Sequence, residues 1–223
     1  MKKPIWILIV ILGLILLMAV IYYSKRINRQ VDSPAHKSAT DKTQIQDGDL
    51  IFQTSRSGQS KAIQLATKST YSHCGIIYKI GNAFYVYEAV QPVKTTPLNA
   101  WIARGTGGKY IVKRLKKAAI ILTTDVLKKM KVEGEKLNGK NYDMLFGWSD
   151  ESIYCSELIW KIYKRGAGIE VGKLEKLSDF DLTSDIVKNT MKNRYGNNIP
   201  LNETVVSPKA VFESDLLETI IEK

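Results

Sequence analysis

Three side chains that could build a thiol-based catalytic centre stand far apart along the chain: His73, Glu88 and Cys155. Cys155 lies in Ile153-Tyr154-Cys155-Ser156-Glu157-Leu158-Ile159-Trp160. There Cys155, Leu158, Ile159 and Ile162 keep the i, i+3, i+4, i+7 spacing of a buried helical stripe. The same pattern places the cysteine in the first turn of that helix. Free backbone N–H groups and the helix dipole stabilise a thiolate there, below the ordinary thiol pKa of about 8.5. Most buried cysteines are inert core residues, so position alone does not make a nucleophile. A nucleophilic thiolate also needs a base to take its proton and return it to the leaving group. Within residues 45–223 the one histidine is His73, which opens the apolar run Ser72-His73-Cys74-Gly75-Ile76-Ile77-Tyr78.

Hairpin register supplies the third member. Residues 72–78 and 84–90 read as strands around Gly81 and Asn82. If Ile80 and Gly81 centre the turn, paired residues sum to 161 and His73 faces Glu88. If Gly81-Asn82 form a two-residue turn, the sum is 163 and Glu88 moves one step along the same face. Either way, His73 and Glu88 share a face with Gly75, Ile77, Phe84 and Val86. A carboxylate beside an imidazole would orient the ring and stabilise its charged form. An exposed edge glutamate is the plain alternative.

These groups need elements to hold them, and the periodicity predicts an α+β fold, an antiparallel sheet packed on helices, with no βαβ alternation. Gly48 to Phe52 reads as a short strand, and Gln59 to Thr67 as a helix built on Ala62, Ile63 and Ala66. Tyr110 to Val112 and Ala118 to Leu122 are β-rich. Thr124-Asp125 is expected to cap a helix to about Leu137, with Val126, Leu127, Met130 and Leu137 inward. The cysteine helix is expected over 153–165, stopped by Gly166. Another helix falls within 179–193, and a last one starts at Ser207-Pro208.

The chain holds two cysteines and two histidines: Cys74, Cys155, His36 and His73. A tetrahedral zinc site would need all four, yet His36 lies in a polar linker and His73 and Cys74 face opposite sides of a strand. No metal and no cofactor are expected. A Cys74–Cys155 disulfide is the lesser alternative for an exported domain.

Four short motifs, in order, resemble the permuted papain-like cysteine amidases of the YiiX type, relatives of the NlpC-type cell-wall peptidases. They are Asp47-Gly48-Asp49-Leu50-Ile51-Phe52, Tyr71-Ser72-His73-Cys74-Gly75-Ile76, Tyr87-Glu88-Ala89 and Tyr154-Cys155-Ser156-Glu157-Leu158. The histidine precedes the cysteine, which marks the permuted branch. The likeness runs from about Asp47 to the final helix and is poor from Ala167 to Val206. It implies a circularly permuted papain-like fold with Cys155 as nucleophile, His73 as general base and Glu88 as orienting residue. Tyr142, in Gly139-Lys140-Asn141-Tyr142-Asp143, resembles the tyrosine preceding the cysteine in NlpC-type enzymes. It is a candidate oxyanion donor beside the Cys155 N–H, with a structural tyrosine as the alternative. Tyr154 is a second candidate for oxyanion or substrate binding. Asp49 matches the family's early aspartate and is read as structural. Cys74 departs from the apolar residue expected after the histidine.

Residues 1–23 are expected to form a membrane anchor. Pro4 to Tyr23 is a run of twenty uncharged, mostly apolar residues, enough for a hydrocarbon core of about 30 Å. No small-x-small cleavage site follows. Residues 24–44 read as a flexible polar tether and 45–223 as the hydrolase domain. Lys2 and Lys3 on one side and Lys25, Arg26 and Arg29 on the other leave the positive-inside rule undecided. An extracytoplasmic domain is expected from the resemblance alone. The net charge of +11 suits an anionic surface or a solvated lysine face, and no nucleic-acid-binding motif accompanies it.

The expected chemistry is amide hydrolysis through an acyl-cysteine, on a peptide, a cell-wall peptide or a lipid-linked substrate. A thiol acyltransferase or esterase acting on membrane lipid is the first rival. A non-catalytic membrane-tethered binding domain is the second.

Overall fold

The computed structural model of the chain describes residues 45–223. In order come β1 (Leu50–Gln53), α1 (Ser60–Thr67), β2 (His73–Ile80), β3 (Ala83–Glu88), β4 (Lys94–Pro97) and α2 (Leu98–Ala103). They are followed by β5 (Ile111–Leu115), α3 (Ala118–Ile121), α4 (Thr124–Glu135), β6 (Asn141–Tyr142), β7 (Ser152–Ile153) and α5 (Cys155–Ala167). The last are β8 (Glu175–Lys176), α6 (Asp185–Tyr195), β9 (Thr204–Val205), α7 (Pro208–Phe212) and β10 (Leu217–Glu222).

Six strands form one sheet in the order β10-β5-β1-β2-β3-β4, antiparallel at each pairing. Successive residues of a strand face opposite sides, and both sides are covered. Leu50, Phe52, Cys74 and Ile76 meet Leu158, Ile159 and Ile162 of α5 in the main core. Ile51, Ile77, Val86 and Val112 pack around Trp101 on the other side. Leu158, Ile159 and Ile162 are fully buried, each contributing about 1.5–3 kcal/mol from apolar burial. This stripe fixes α5 against β2 and α4, so its first residue is held in place by packing.

The hairpin register is settled. Ile80 pairs with Ala83 and Ile77 with Val86, so Gly81-Asn82 make the two-residue turn and paired residues sum to 163. Gly81 has φ of +59° there, a conformation suited to glycine.

Several expected elements differ. Ala118 to Leu122 holds the short helix α3 rather than a strand, with Ile120 turned to solvent and Ile121 and Leu122 packed on the core. The cap of α4 is Thr123, whose side chain accepts from Val126 N–H. Gly166 does not end α5; the helix runs on to Ala167 and stops at Gly168, which has φ of 72°. Gly166 is instead a point of close approach, since a Cβ there would come within 2.6 Å of Met130 Cα. The helix expected within 179–193 starts only after Ser184, whose side chain accepts from Val187 N–H. Ser207-Pro208 does start a helix, α7. Strands β4 and β10 and helix α2 escaped prediction, being short or following a helix signal.

The anchor expected over residues 1–23 and the tether over 24–44 lie outside the described residues. None of the described helices is long and apolar enough to cross a membrane.

Candidate active site

Cys155 is the first residue of α5, where the backbone N–H groups lack intrahelical acceptors. The preceding Tyr154 N–H donates to Glu157 Oε2 at 3.3 Å, closing the first turn. The Cys155 side chain is almost wholly buried at 2% exposure. The His73 ring and the Cys74 thiol and backbone N–H are the neighbours that act on its sulfur, each favouring the thiolate.

His73 opens β2 and pairs with Gln53 of β1. Its Nε2 lies 2.6 Å from Glu88 Oε2, which leaves Nδ1 for the sulfur. The ring stacks on the buried Trp101, with centroids 5.8 Å apart and planes at 25°.

Glu88 closes β3 and is fully buried. Its other oxygen, Oε1, accepts from Thr96 Oγ1 at 2.6 Å and from the Arg104 guanidinium. Gly75 makes room for this arrangement. A Cβ at that position would come within 2.4 Å of Val86 Cγ1, 2.9 Å of Tyr87 O and 3.4 Å of Glu88 Cβ.

Electrostatics follow the geometry. The Cys74 thiol, donating to the sulfur, is the largest influence holding Cys155 well below the ordinary thiol range; burial opposes it and the His73 bond adds to it. Burial would lower the His73 pKa, but the bonds to Cys155 and Glu88 outweigh it and push the imidazole up to about 9. Burial likewise works against an ionised Glu88, yet His73, Thr96 and Arg104 keep its carboxyl below the usual range. Together these shifts favour a thiolate–imidazolium pair backed by a carboxylate. Such a pair is an activated nucleophile with its proton already on the group that delivers it.

The sequence therefore identified the three groups that meet. The two tyrosines part company. Tyr142 accepts a bond from Gln59 Nε2 at 2.9 Å, leaving its own O–H free to donate, and it lies close enough to Cys155 for the sulfur's charge to raise its pKa, after burial. The Tyr154 hydroxyl takes the Val206 N–H at 3.1 Å and its ring meets Phe146 edge-on. Tyr154 thus ties β9 to the start of α5. Asp49 is buried and gripped by Arg114 at 2.7 and 2.8 Å.

Sequence reasoning missed Thr96, Trp101, Arg104 and Gln59. The three around Glu88 and His73 come from β4 and from in and after α2, elements without a clear periodic signature. Cys74 was noticed as a departure, but its influence on Cys155 was not foreseen. Both cysteines are free thiols.

Two depressions lie at the site, one lined by Cys155 and the other by His73. One contains Cys155 but not His73 and is lined by apolar groups such as Ile63, Phe180, Leu182, Met191 and Val206. The other contains His73 but not Cys155 and carries polar groups, among them Ser55, Arg56, Gln91 and Arg104. Tyr142 borders both.

The chain matches the model of a family described as permuted papain-like amidase enzyme, YaeF/YiiX, C92 family, over residues 44–221. It is 50% identical over 177 residues to the uncharacterized protein YiiX of Escherichia coli strain K12, spanning 79% of this chain and 86% of that protein. The crystal structure of YiiX from Escherichia coli O157:H7, described as a metalloprotein, matches with a TM-score of 0.77 at 49% identity. That match covers 81% of this chain and 98% of the other. Among the described residues, no group of three or more His, Cys, Asp or Glu side chains is arranged to hold a metal ion. His73 Nε2 is taken by Glu88 at 2.6 Å.

Proposed function

Because the chain belongs to the permuted papain-like amidases of the YaeF/YiiX type, we propose that it hydrolyses an amide bond through an acyl-cysteine intermediate. The observation that carries this reading is a buried Cys155 at the start of α5, with its thiolate favoured by His73, whose ring is held by Glu88 at 2.6 Å. The thiolate attacks the carbonyl carbon, and the tetrahedral oxyanion is met by the free Cys155 N–H and the Tyr142 hydroxyl. His73, protonated at the nitrogen facing the sulfur, gives its proton to the departing amine as the C–N bond breaks. The now neutral ring takes a proton from water, hydroxide attacks the thioester, and the acid leaves with the thiolate restored. Glu88 keeps the ring in one orientation throughout.

The two depressions support a division of the substrate's halves. The amine leaves from the histidine's side, so the polar cleft with Arg56 and Arg104 takes the leaving group. The apolar depression beside Cys155 takes the acyl half, which therefore carries an apolar side chain or acyl tail. A peptide or lipid-linked amide of that polarity is the proposed substrate class.

The test uses the full-length protein and a series of acyl anilides graded in the size and polarity of the acyl group. Cys155→Ala should abolish release of the aniline while the circular dichroism spectrum and melting temperature stay near those of the parent. Apolar acyl groups should react faster than charged ones. Turnover surviving in the Ala variant would overturn the mechanism, and a preference for charged acyl groups would overturn the assignment of the halves.

A further inference from the structure

Tyr142, Gln59 and Arg194 come from three distant parts of the chain and form one hydrogen-bonded line. Tyr142 ends β6 and pairs with Ile153, just ahead of Cys155. Gln59 precedes α1, but its side chain makes no capping bond to that helix. Instead its Nε2 donates to the Tyr142 hydroxyl at 2.9 Å, and its Oε1 accepts from Arg194 at 2.7 Å. Arg194, in the last turn of α6, lies over the Phe146 ring, 4.8 Å from its centroid. The line follows the border between the two depressions. Arg194 lines the apolar one with Cys155, Gln59 lines the polar one with His73, and Tyr142 lines both. A scissile amide whose halves occupy the two depressions has its carbonyl at that border.

The chemistry of the three groups fixes the direction of each bond. A guanidinium has donors only, so the Gln59 amide must turn its oxygen to Arg194 and its N–H to Tyr142. The phenol oxygen is then an acceptor toward Gln59, and its single hydrogen is left for another acceptor. We propose that Gln59 and Arg194 are positioning residues that aim the Tyr142 hydroxyl hydrogen at the oxyanion. The proposal rests on Tyr142 meeting that oxyanion, as in the mechanism above. Without Arg194 the amide is free to flip and offer its oxygen, which would capture the hydrogen. A donor already aimed costs no reorganisation as charge develops on the substrate, so its orientation bears on the rate. Burial holds the phenol protonated, well above its ordinary range, so the hydrogen is there to be aimed.

The decisive substitution is Gln59→Glu. A carboxylate keeps the side chain's shape and pairs with Arg194 more strongly, but it only accepts. It therefore draws the Tyr142 hydrogen to itself and away from the substrate. In the full-length protein, kcat and KM on an acyl anilide are measured for parent, Tyr142→Phe, Gln59→Glu, Gln59→Leu, Arg194→Met and Arg194→Lys, with melting temperatures to check folding. Tyr142→Phe should lower kcat about 10²-fold with KM little changed, the loss expected of one oxyanion donor. Gln59→Glu should match that loss without a fall in melting temperature. Gln59→Leu and Arg194→Met leave the hydroxyl free to rotate and should each lose about tenfold in kcat. Arg194→Lys keeps a donor and should recover most of it.

Each of these losses should vanish in a Tyr142→Phe background, where no hydrogen is left to aim. A packing role predicts no loss in Gln59→Glu, and a general effect of its added charge predicts a loss that persists in that background. Either result would overturn the proposal. If Gln59→Glu fails to fold, Gln59→Leu with and without Tyr142→Phe decides by the same comparison. Full activity in Tyr142→Phe would instead remove the oxyanion assignment, and turnover surviving in Cys155→Ala would remove the nucleophile, so the failures are distinguishable.

Discussion

Replacing Glu88 by glutamine keeps the side chain's shape and removes its charge, and the consequences can be worked through. Glu88 is fully buried, 2.6 Å from the His73 ring, with Thr96 and Arg104 on its other oxygen. An opposite charge at such a distance raises a histidine pKa by about 1–3 units. Without it the His73 value of about 9 should fall to about 7. At pH 8 the protonated fraction would drop from about nine tenths to about one tenth, one order of magnitude in the active form.

A glutamine can also present its N–H to Nε2, which reverses the tautomer needed by the base. That adds a second loss, as when the orienting carboxylate of a triad is removed. Together kcat/KM should fall about 10²- to 10³-fold, or about 3–4 kcal/mol of transition-state stabilisation.

The structural cost is smaller. Thr96 can still donate to the amide oxygen, and the Arg104 side chain, 44% exposed, can turn to water. A loss of about 1–2 kcal/mol is expected. The sign is consistent with linkage. His73's raised pKa contributes stability fully below its unfolded value near 6.5, and that contribution fades as pH rises through about 9. Glu88→Gln should flatten that alkaline fall. The assay is proton NMR titration of the imidazoles, since the chain has only His36 and His73, paired with kcat/KM on an acyl anilide. A variant whose His73 still titrates near 9 and keeps most of its activity would refute the reasoning.

Three further outcomes are expected. The pH dependence of kcat/KM should be a bell, rising well below the ordinary thiol range as Cys155 ionises and falling near 9 as His73 loses its proton; a profile that first rises near 8.5 would contradict it. Asp49→Asn weakens a buried pair held by bonds of 2.7 and 2.8 Å to Arg114, and should cost about 3 kcal/mol in denaturant unfolding while leaving activity per folded molecule unchanged. Gly166→Ala drives a methyl to 2.6 Å from Met130 Cα and should cost about 1–3 kcal/mol of stability; a melting temperature equal to the parent's would show that α4 and α5 are less closely fixed.

The cluster of Cys155, His73 and Glu88 was legible because each member carries a local signature. Cys155 sits on a 3.6-period stripe and His73 and Glu88 on a period-2 hairpin, and Gly81-Asn82 offered only two registers, both with the pair on one face. Thr96, Trp101 and Arg104 had no such signature. They reach His73 and Glu88 through an edge strand and a six-residue helix whose placement depends on the sheet rather than on periodicity. Gly166 misled because a glycine near a helix terminus reads as a stop, whereas here it admits Met130. Ala118 to Leu122 misled because two adjacent isoleucines favour strand, while tertiary packing sets a short helix.

The central claim is that the Cys155 sulfur becomes acylated during turnover. Acid-quenched intact-protein mass spectrometry on the full-length protein, mixed with an excess of an apolar acyl anilide, measures this directly. The account predicts one acyl increment per chain, mapped to Cys155 and appearing with one equivalent of released aniline, and no increment in Cys155→Ala. Aniline released with no adduct on Cys155, from parent and Ala variant at equal rates, would contradict it.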